Sequence, residues 1–145
     1  MIKCAFENGK NTSLRHAVVD ALVIKSNEIL LIKREKSLIE GGKWALAGGY
    51  VERDETIEQS LLREVYEETG WVVNNIKLLK IIDNPKRPGE DRQNIAFVYI
   101  CQAVKKTGQA DWESDEQKWF KLSELPQKST MAFDHLEIIK DYFKI

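Results

Sequence analysis

The sequence predicts an α/β fold, and three observations carry that prediction. Residues 15–24 (RHAVVDALVI) form a β-branched apolar run, followed by a turn pair and a second apolar run. That is the pattern of a buried strand leading into a hairpin. Residues 56–70 open on a capping-box pair and close on glycine, which marks a helix at both ends. Phe133, Leu136, Ile139 and Phe143 recur at helical spacing, so a second helix with one apolar face seals a side of the sheet. Strand runs interrupted by two such helices make an α/β domain.

The elements follow in order. Residues 1–13 are polar and form an arm or a short edge strand. After the strand over 15–24, Ser26-Asn27 is a turn signal, and residues 28–34 (EILLIKR) pair back as a hairpin. Residues 35–43 contain Gly41-Gly42 and form a loop; residues 44–46 make a short strand running into Gly48-Gly49. In the first helix, Thr56 and Gln59 form the capping box, Ile57, Leu61, Leu62 and Val65 the apolar face, and Gly70 the stop. Residues 71–83 read as a long strand, 84–92 (NPKRPGEDR) as a charged loop, and 93–104 as another strand. Residues 105–110 turn, 118–122 form a short strand, and 123–126 a turn or single helical turn before the last helix over 133–143.

Bulk properties exclude several classes. A chain of 145 residues suits one domain over 1–145. A net charge of −1 supplies no field that draws the chain to nucleic acid or an anionic membrane. No apolar run approaches the ~20 residues that span a bilayer. The opening MIKCAFENGKN lacks the apolar core of a secretory signal. Cys4 and Cys101 have no metal-ligand spacing and read as free thiols in a reducing cytoplasm.

The chemistry lies in the first helix. Glu64, Glu67 and Glu68 stand at i, i+3 and i+4, so they share a face. Like charges so spaced cost about 0.2–0.5 kcal/mol per pair, and Arg63 offsets only part of that. A hard divalent cation relieves the repulsion: oxygen donors suit Mg²⁺ or Mn²⁺, and Mg²⁺ is usually shared between carboxylates and substrate phosphates. The alternative meaning of an acid-rich helix is a solvated face.

A spaced pattern decides between them. Residues 49–71 (GYVERDETIEQSLLREVYEETGW) fit G-x5-E-x7-R-E-U-x-E-E-x-G-U, with U bulky and apolar, through Gly49, Glu55, Arg63, Glu64, Val65, Glu67, Glu68, Gly70 and Trp71. This resembles the signature of the Nudix hydrolases (MutT-like proteins), and the run GGKWALAGGYVERDET resembles their ADP-ribose pyrophosphatase branch. Trp71 stands where the family usually carries an aliphatic residue, and Ala47 where many members carry proline before the glycines. The resemblance runs from about His16 to Leu125.

The resemblance implies an α/β/α sandwich around a mixed sheet. It also implies a Mg²⁺-dependent pyrophosphohydrolase, with Mn²⁺ as the other option, cleaving a nucleoside diphosphate linked to a further group. Glu64, Glu67, Glu68 and the Gly48 carbonyl would be the ligands, with Glu64 and Glu68 first. Arg63 would orient a carboxylate. Glu55 would bridge within its loop or support the ligands from behind. The general base is either an acid of DWESDEQKWF, Glu113 or Glu116, or Glu64 itself. Arg34, Glu52, Arg87 and Arg92 are candidates for substrate contact, against the alternative of surface salt bridges and a charged solvent loop. Trp44, Trp112 and Phe97 could stack a base or serve the core. His16 and His135 are isolated in the sequence and receive no role. The expected partner is a nucleoside diphosphate derivative, with no nucleic acid or membrane and with homodimerisation open. The competing functions are a (d)NTP or oxidised-nucleotide pyrophosphatase and a non-catalytic nucleotide-binding module.

Overall fold

The computed structural model describes residues 2–90 and 92–145, so Met1 of the expected arm and Asp91 of the expected loop lie outside the described residues. The first departure from expectation comes at once. β1 (Ile2–Ala5) and β2 (Asn11–Leu14) pair antiparallel, from Ile2 opposite Leu14 to Ala5 opposite Asn11, as a two-stranded sheet of their own. A polar composition hid this ladder, because backbone pairing does not need an apolar face.

The main sheet has six strands. β3 (Ala17–Lys25) runs parallel to β7 (Ile95–Lys106), and β7 is flanked antiparallel by β6 (Trp71–Ile82). On its other side β3 meets β4 (Glu28–Arg34) only near their shared turn, at Val23–Lys25. β4 then takes β5 (Trp44–Ala45) as its neighbour at Ile32 and Lys33, while β8 (Ser114–Lys121) pairs along its opposite edge. One parallel pair among antiparallel ones makes the sheet mixed.

Alternation along the strands sorts the core into two layers. Val19, Ala21, Val23, Leu30 and Ile32 pack with Leu61 and Val65 of α1 (Ile57–Thr69). Leu22, Ile29 and Leu31, which point the other way, pack with Leu136, Ile138 and Ile139 of α2 (His135–Phe143). This is the α/β/α sandwich. Each buried leucine or isoleucine contributes about 1.5–3 kcal/mol, so both helices are fixed mainly by these faces.

Both ends of α1 match the sequence reading. The Thr56 hydroxyl accepts from the Gln59 N–H, the Gln59 side chain accepts from the Thr56 N–H, and Gly70 closes the helix at φ 73°. Other expectations need correction. Leu62 is 40% exposed, since it lies about 100° around the helix from buried Leu61. β7 continues through Lys105 and Lys106, where a turn was expected, because β6 supplies partners at Trp71 and Val72. β8 begins at Ser114, well before residue 118: the ladder with β4 runs from Arg34–Ser114 to Glu28–Lys121, so Asp115 and Glu116 are strand residues. The last helix begins at His135; Phe133 precedes it at φ 53° and packs towards the α1-side core. Among the described residues no helix is long and apolar enough to cross a membrane.

Candidate active site

The site forms where β3 changes partners. Beyond the short β3–β4 pairing, the chain after β5 returns along β3: Ala21 N–H donates to Ala47 C=O (2.8 Å), Val19 N–H to Gly49 C=O (2.9 Å), and Val51 N–H to Ala17 C=O (3.0 Å). The paired glycines are thereby wedged between a strand and the acidic helix. A Cβ on Gly48 would sit 1.9 Å from the Val19 carbonyl oxygen, and one on Gly49 would sit 2.4 Å from Glu64 Oε1. A side chain is thus excluded at both positions by protein atoms already in place.

Arg63 organises the acids. Nε and Nη2 donate to the two oxygens of Glu55 (3.1 and 2.8 Å), and Nη1 donates to Glu64 Oε1 (2.9 Å) and Glu67 Oε2 (3.0 Å). Nη2 also donates to the Tyr50 carbonyl (3.0 Å), tying α1 to the strand it faces. The fork holds Glu55 ionised: bonds from Arg63, then from the Glu52 N–H, bring its carboxyl down to about 2. Glu55 is therefore the bridge within its loop that the sequence allowed.

Among the described residues Glu68 is the least exposed acid, at 2%. Its Oε2 accepts from the Gly48 N–H at 2.8 Å. Burial pushes its carboxyl well above the usual range; the Gly48 bond opposes the shift and Glu64 adds to it. Burial likewise raises Glu64, against Arg63, and raises Glu113, with Asp111 adding to the effect. Three carboxyls thus lack the solvation their charges need: Glu64 and Glu113, which line the cleft, and Glu68, which is buried outside its lining.

The cleft has a volume of about 320 Å³. Gly48, Gly49, Glu52, Arg63, Glu64 and Glu67 line one side, and Asp111 and Glu113 border it, with Arg34, Arg87 and Arg92 also among its walls. Glu113 is brought to the cleft and Glu116 is not: Glu116 stands opposite Lys33 on β8, 3.7 Å from its ammonium, outside the lining. Both acids were candidates from the sequence, but Glu113 lies in the turn just before β8 while Glu116 is held within the strand against β4.

The arginines also separate. Arg34 Nε donates to the Ile39 carbonyl (2.8 Å), and its guanidinium lies 5.3 Å from the Phe133 ring centre. Arg92 rests on Tyr50, donating to its hydroxyl and lying over its ring. Arg87 is 5% exposed, so it is no solvent-loop charge. It donates to Asp134 Oδ1 from Nε (2.8 Å) and to Asp20 Oδ2 from Nη2 (3.0 Å). Burial works against its charged form and the two aspartates outweigh that. With two carboxylates already beside it, Arg87 is a structural cation at the wall of the cleft.

His135 is not isolated in space. Its Nδ1 accepts from the Leu46 N–H (3.0 Å), and its Nε2 lies 3.5 Å from Asp20 Oδ1. Burial alone would raise Asp20; His135 and Arg87 outweigh it and hold the carboxyl far below its ordinary value. His16 faces the Tyr50 ring at 5.0 Å. Asp20 had a signal in the sequence, a lone acid inside the apolar run VVDALV. Phe133, Asp134 and His135 had none. The aromatic candidates are displaced too: Trp44 packs edge-on to Phe120, Phe97 packs on the α1-side core, and Trp112 is 66% exposed outside the lining. Tyr50 and Phe133 are the aromatic residues of the cleft.

The donor set fits a hard cation in its chemistry. Glu64, Glu67, Glu68 and Glu113 are oxygen donors, and two of the three helix acids are raised by burial, the condition that a divalent counter-ion relieves. Among the described residues no three His, Cys, Asp or Glu side chains are gathered tightly enough to hold an ion as they stand.

A family model described as the NUDIX domain matches residues 14–142. The chain is 38% identical over 126 residues to the ADP-ribose pyrophosphatase of Methanocaldococcus jannaschii, covering 87% of this chain and 72% of that protein. Among solved structures, a bifunctional NMN adenylyltransferase/ADP ribose pyrophosphatase from Francisella tularensis, complexed with AMP and a Mn ion, is 30% identical with a TM-score of 0.67. That match covers 92% of this chain but spans only 42% of the larger protein. The NUDIX domain of Shewanella oneidensis NrtR, complexed with ADP ribose, is 25% identical over 92% of this chain and 89% of that one, with a TM-score of 0.69.

Proposed function

This chain belongs to the NUDIX family and is a pyrophosphohydrolase, a hydrolase of phosphorus-containing acid anhydrides; from that premise we propose that its substrate is ADP-ribose or a nucleotide sugar of the same build, cleaved with Mg²⁺ or Mn²⁺. One observation carries the reading: a cleft lined by carboxylates together with Arg34, in a chain 38% identical to an ADP-ribose pyrophosphatase. The Mn ion and AMP in the Francisella protein, and the ADP ribose in the NrtR domain, support the same ligand classes.

In this proposal Glu64, Glu67 and Glu68 would hold the cation, with the Gly48 carbonyl as a further donor. When bound, such an ion neutralises phosphate charge and makes water more acidic. Arg63 keeps Glu64 and Glu67 aimed into the cleft through the bonds described above. Water attacks phosphorus, the anhydride P–O bond breaks, and the leaving phosphate departs with the electron pair. The proton of that water passes to Glu113, whose raised carboxyl suits a base working near neutrality. Arg34 meets the diphosphate with charge-assisted bonds. Glu52 and Arg92, at the cleft wall, contact the rest of the substrate.

The test is product formation from a panel of ADP-ribose, other nucleoside diphosphate sugars, dinucleoside polyphosphates and (d)NTPs, with and without Mg²⁺ or Mn²⁺. ADP-ribose turned over fastest, and only with metal, is the expected result. Preference for a (d)NTP would move the assignment to the nucleotide-sanitising reading, and a flat response would favour a binding module. Glu113→Gln lowering kcat about a hundredfold with KM little changed supports the base; an unchanged rate returns that role to Glu64.

A further inference from the structure

Phe133 is a bulky residue in a conformation that bulky residues avoid. Its φ of 53° lies in the left-handed region, which is strained for a non-glycine residue. Its neighbours are pinned on both sides. Ala132 N–H donates to the Trp44 carbonyl (2.8 Å), His135 N–H donates to the Ala132 carbonyl (3.2 Å), and the Asp134 carboxylate is held by Arg87. The buried Asp20–Arg87–Asp134 pairing thereby fixes the backbone on which Phe133 stands.

The outcome is where the ring goes. It lines the cleft, with the Arg34 guanidinium 5.3 Å from its centre and the Arg87 guanidinium 5.7 Å from it. Both distances are within the reach of cation–π attraction. The two arginines differ in what they have left to offer. Arg87 is paired with two aspartates. Arg34 uses Nε on the Ile39 carbonyl, and among the described residues its Nη1 and Nη2 donate to no protein acceptor. Arg34 stands at the end of β4, close enough to Glu68 and Glu113 for its charge to act on both carboxyls.

We propose that Phe133 is a positioning residue, whose ring fixes the Arg34 guanidinium beside the acidic helix so that its two Nη groups meet the substrate's diphosphate. The role rests on the pyrophosphohydrolase reading above and extends it to a residue outside the signature. Phe133 itself touches no reacting atom; it acts through Arg34.

The experiment compares Phe133→Leu, Phe133→Tyr, Arg34→Met and the Phe133→Leu/Arg34→Met pair in two assays. The first is the KM and kcat for ADP-ribose with Mg²⁺. The second is the calorimetric Kd for α,β-methylene-ADP, a diphosphate that cannot be cleaved at its bridge. Phe133→Leu keeps apolar volume and loses the π-face, so KM and Kd rise about three- to tenfold while kcat stays within about twofold. Phe133→Tyr, which keeps the π-face, restores both constants. Arg34→Met weakens binding more, and adding Phe133→Leu to it costs nothing further. Phe133→Met carries the expectation of Phe133→Leu and replaces it if that variant does not fold. Unchanged Kd in the leucine variant, or an equal loss with and without Arg34, overturns the proposal. An enzyme that binds the methylene analogue as described yet spares ADP-ribose would refute the substrate assignment and leave the role of Phe133 standing.

Discussion

At the scale of single residues, the paired glycines make the sharpest contrast. A Cβ at Gly48 would run into the Val19 backbone at 1.9 Å, whereas one at Gly49 would meet the Glu64 carboxylate at 2.4 Å. Backbone cannot yield cheaply, but a side chain can turn away. Gly48→Ala is therefore expected to lower stability by about 1–3 kcal/mol or more, read as a clear drop in Tm. Gly49→Ala should melt near the wild type and lose activity, because Glu64 is expelled from its place beside Arg63. Equal Tm losses in the two variants would contradict this division. Glu68→Gln is isosteric, keeps an acceptor for the Gly48 N–H, and removes a charge that burial disfavours. Turnover should fall about a hundredfold or more, with the fold intact by circular dichroism. The helix acids and Arg63 were legible in the sequence because they sit on one element at fixed spacing. Leu46 and His135 are 89 residues apart, and the Asp20–Arg87–Asp134 pairing joins three separate segments. No local pattern records such meetings, so only the lone acid in VVDALV could have hinted at them.

At the scale of elements, legibility followed the strength of local signals. α1 was bounded closely at both ends because its capping box and terminal glycine act within the helix itself. Thr56→Ala should therefore cost about 1 kcal/mol (range 0.5–2), seen as a lower urea midpoint with an unchanged m-value and with KM close to wild type. Loss of activity without loss of stability would assign Thr56 to the site. Strands gave weaker signals because their pairing is decided elsewhere in the chain. Polar β1 and β2 pair through backbone alone, and acid-bearing β8 is a strand because β4 offers it a free edge. The same extension of β8 removed Glu116 from the cleft and left Glu113 beside it. The last helix was read two residues too early because Phe133 has the right spacing and the wrong backbone, being turned into the cleft at φ 53°.

At the scale of the whole molecule, two groups of carboxyls pull stability in opposite directions with pH. Glu55 and Asp20 are depressed in the folded chain. Their contribution is complete above the unfolded-state values and is lost as pH falls through the folded ones. Glu64, Glu68 and Glu113 are raised. Their contribution is complete below the unfolded-state values and is lost as pH rises through the folded ones. Without metal, Tm should therefore peak between these limbs and decline towards neutrality, instead of holding a plateau. The acids that cause the upper decline are also the proposed cation ligands, so added Mg²⁺ or Mn²⁺ should raise Tm little near about pH 5 and clearly near about pH 8. Glu68→Gln should flatten the metal-free upper limb and shrink the metal-induced gain, while leaving the acid limb, to which Glu55, Asp20, Glu35 and Glu137 contribute, as it was. Differential scanning fluorimetry across that range, with and without metal, makes the comparison. A metal-induced shift of the same size at both ends, or one untouched by Glu68→Gln, would mean that the ion binds somewhere other than the acidic face of α1.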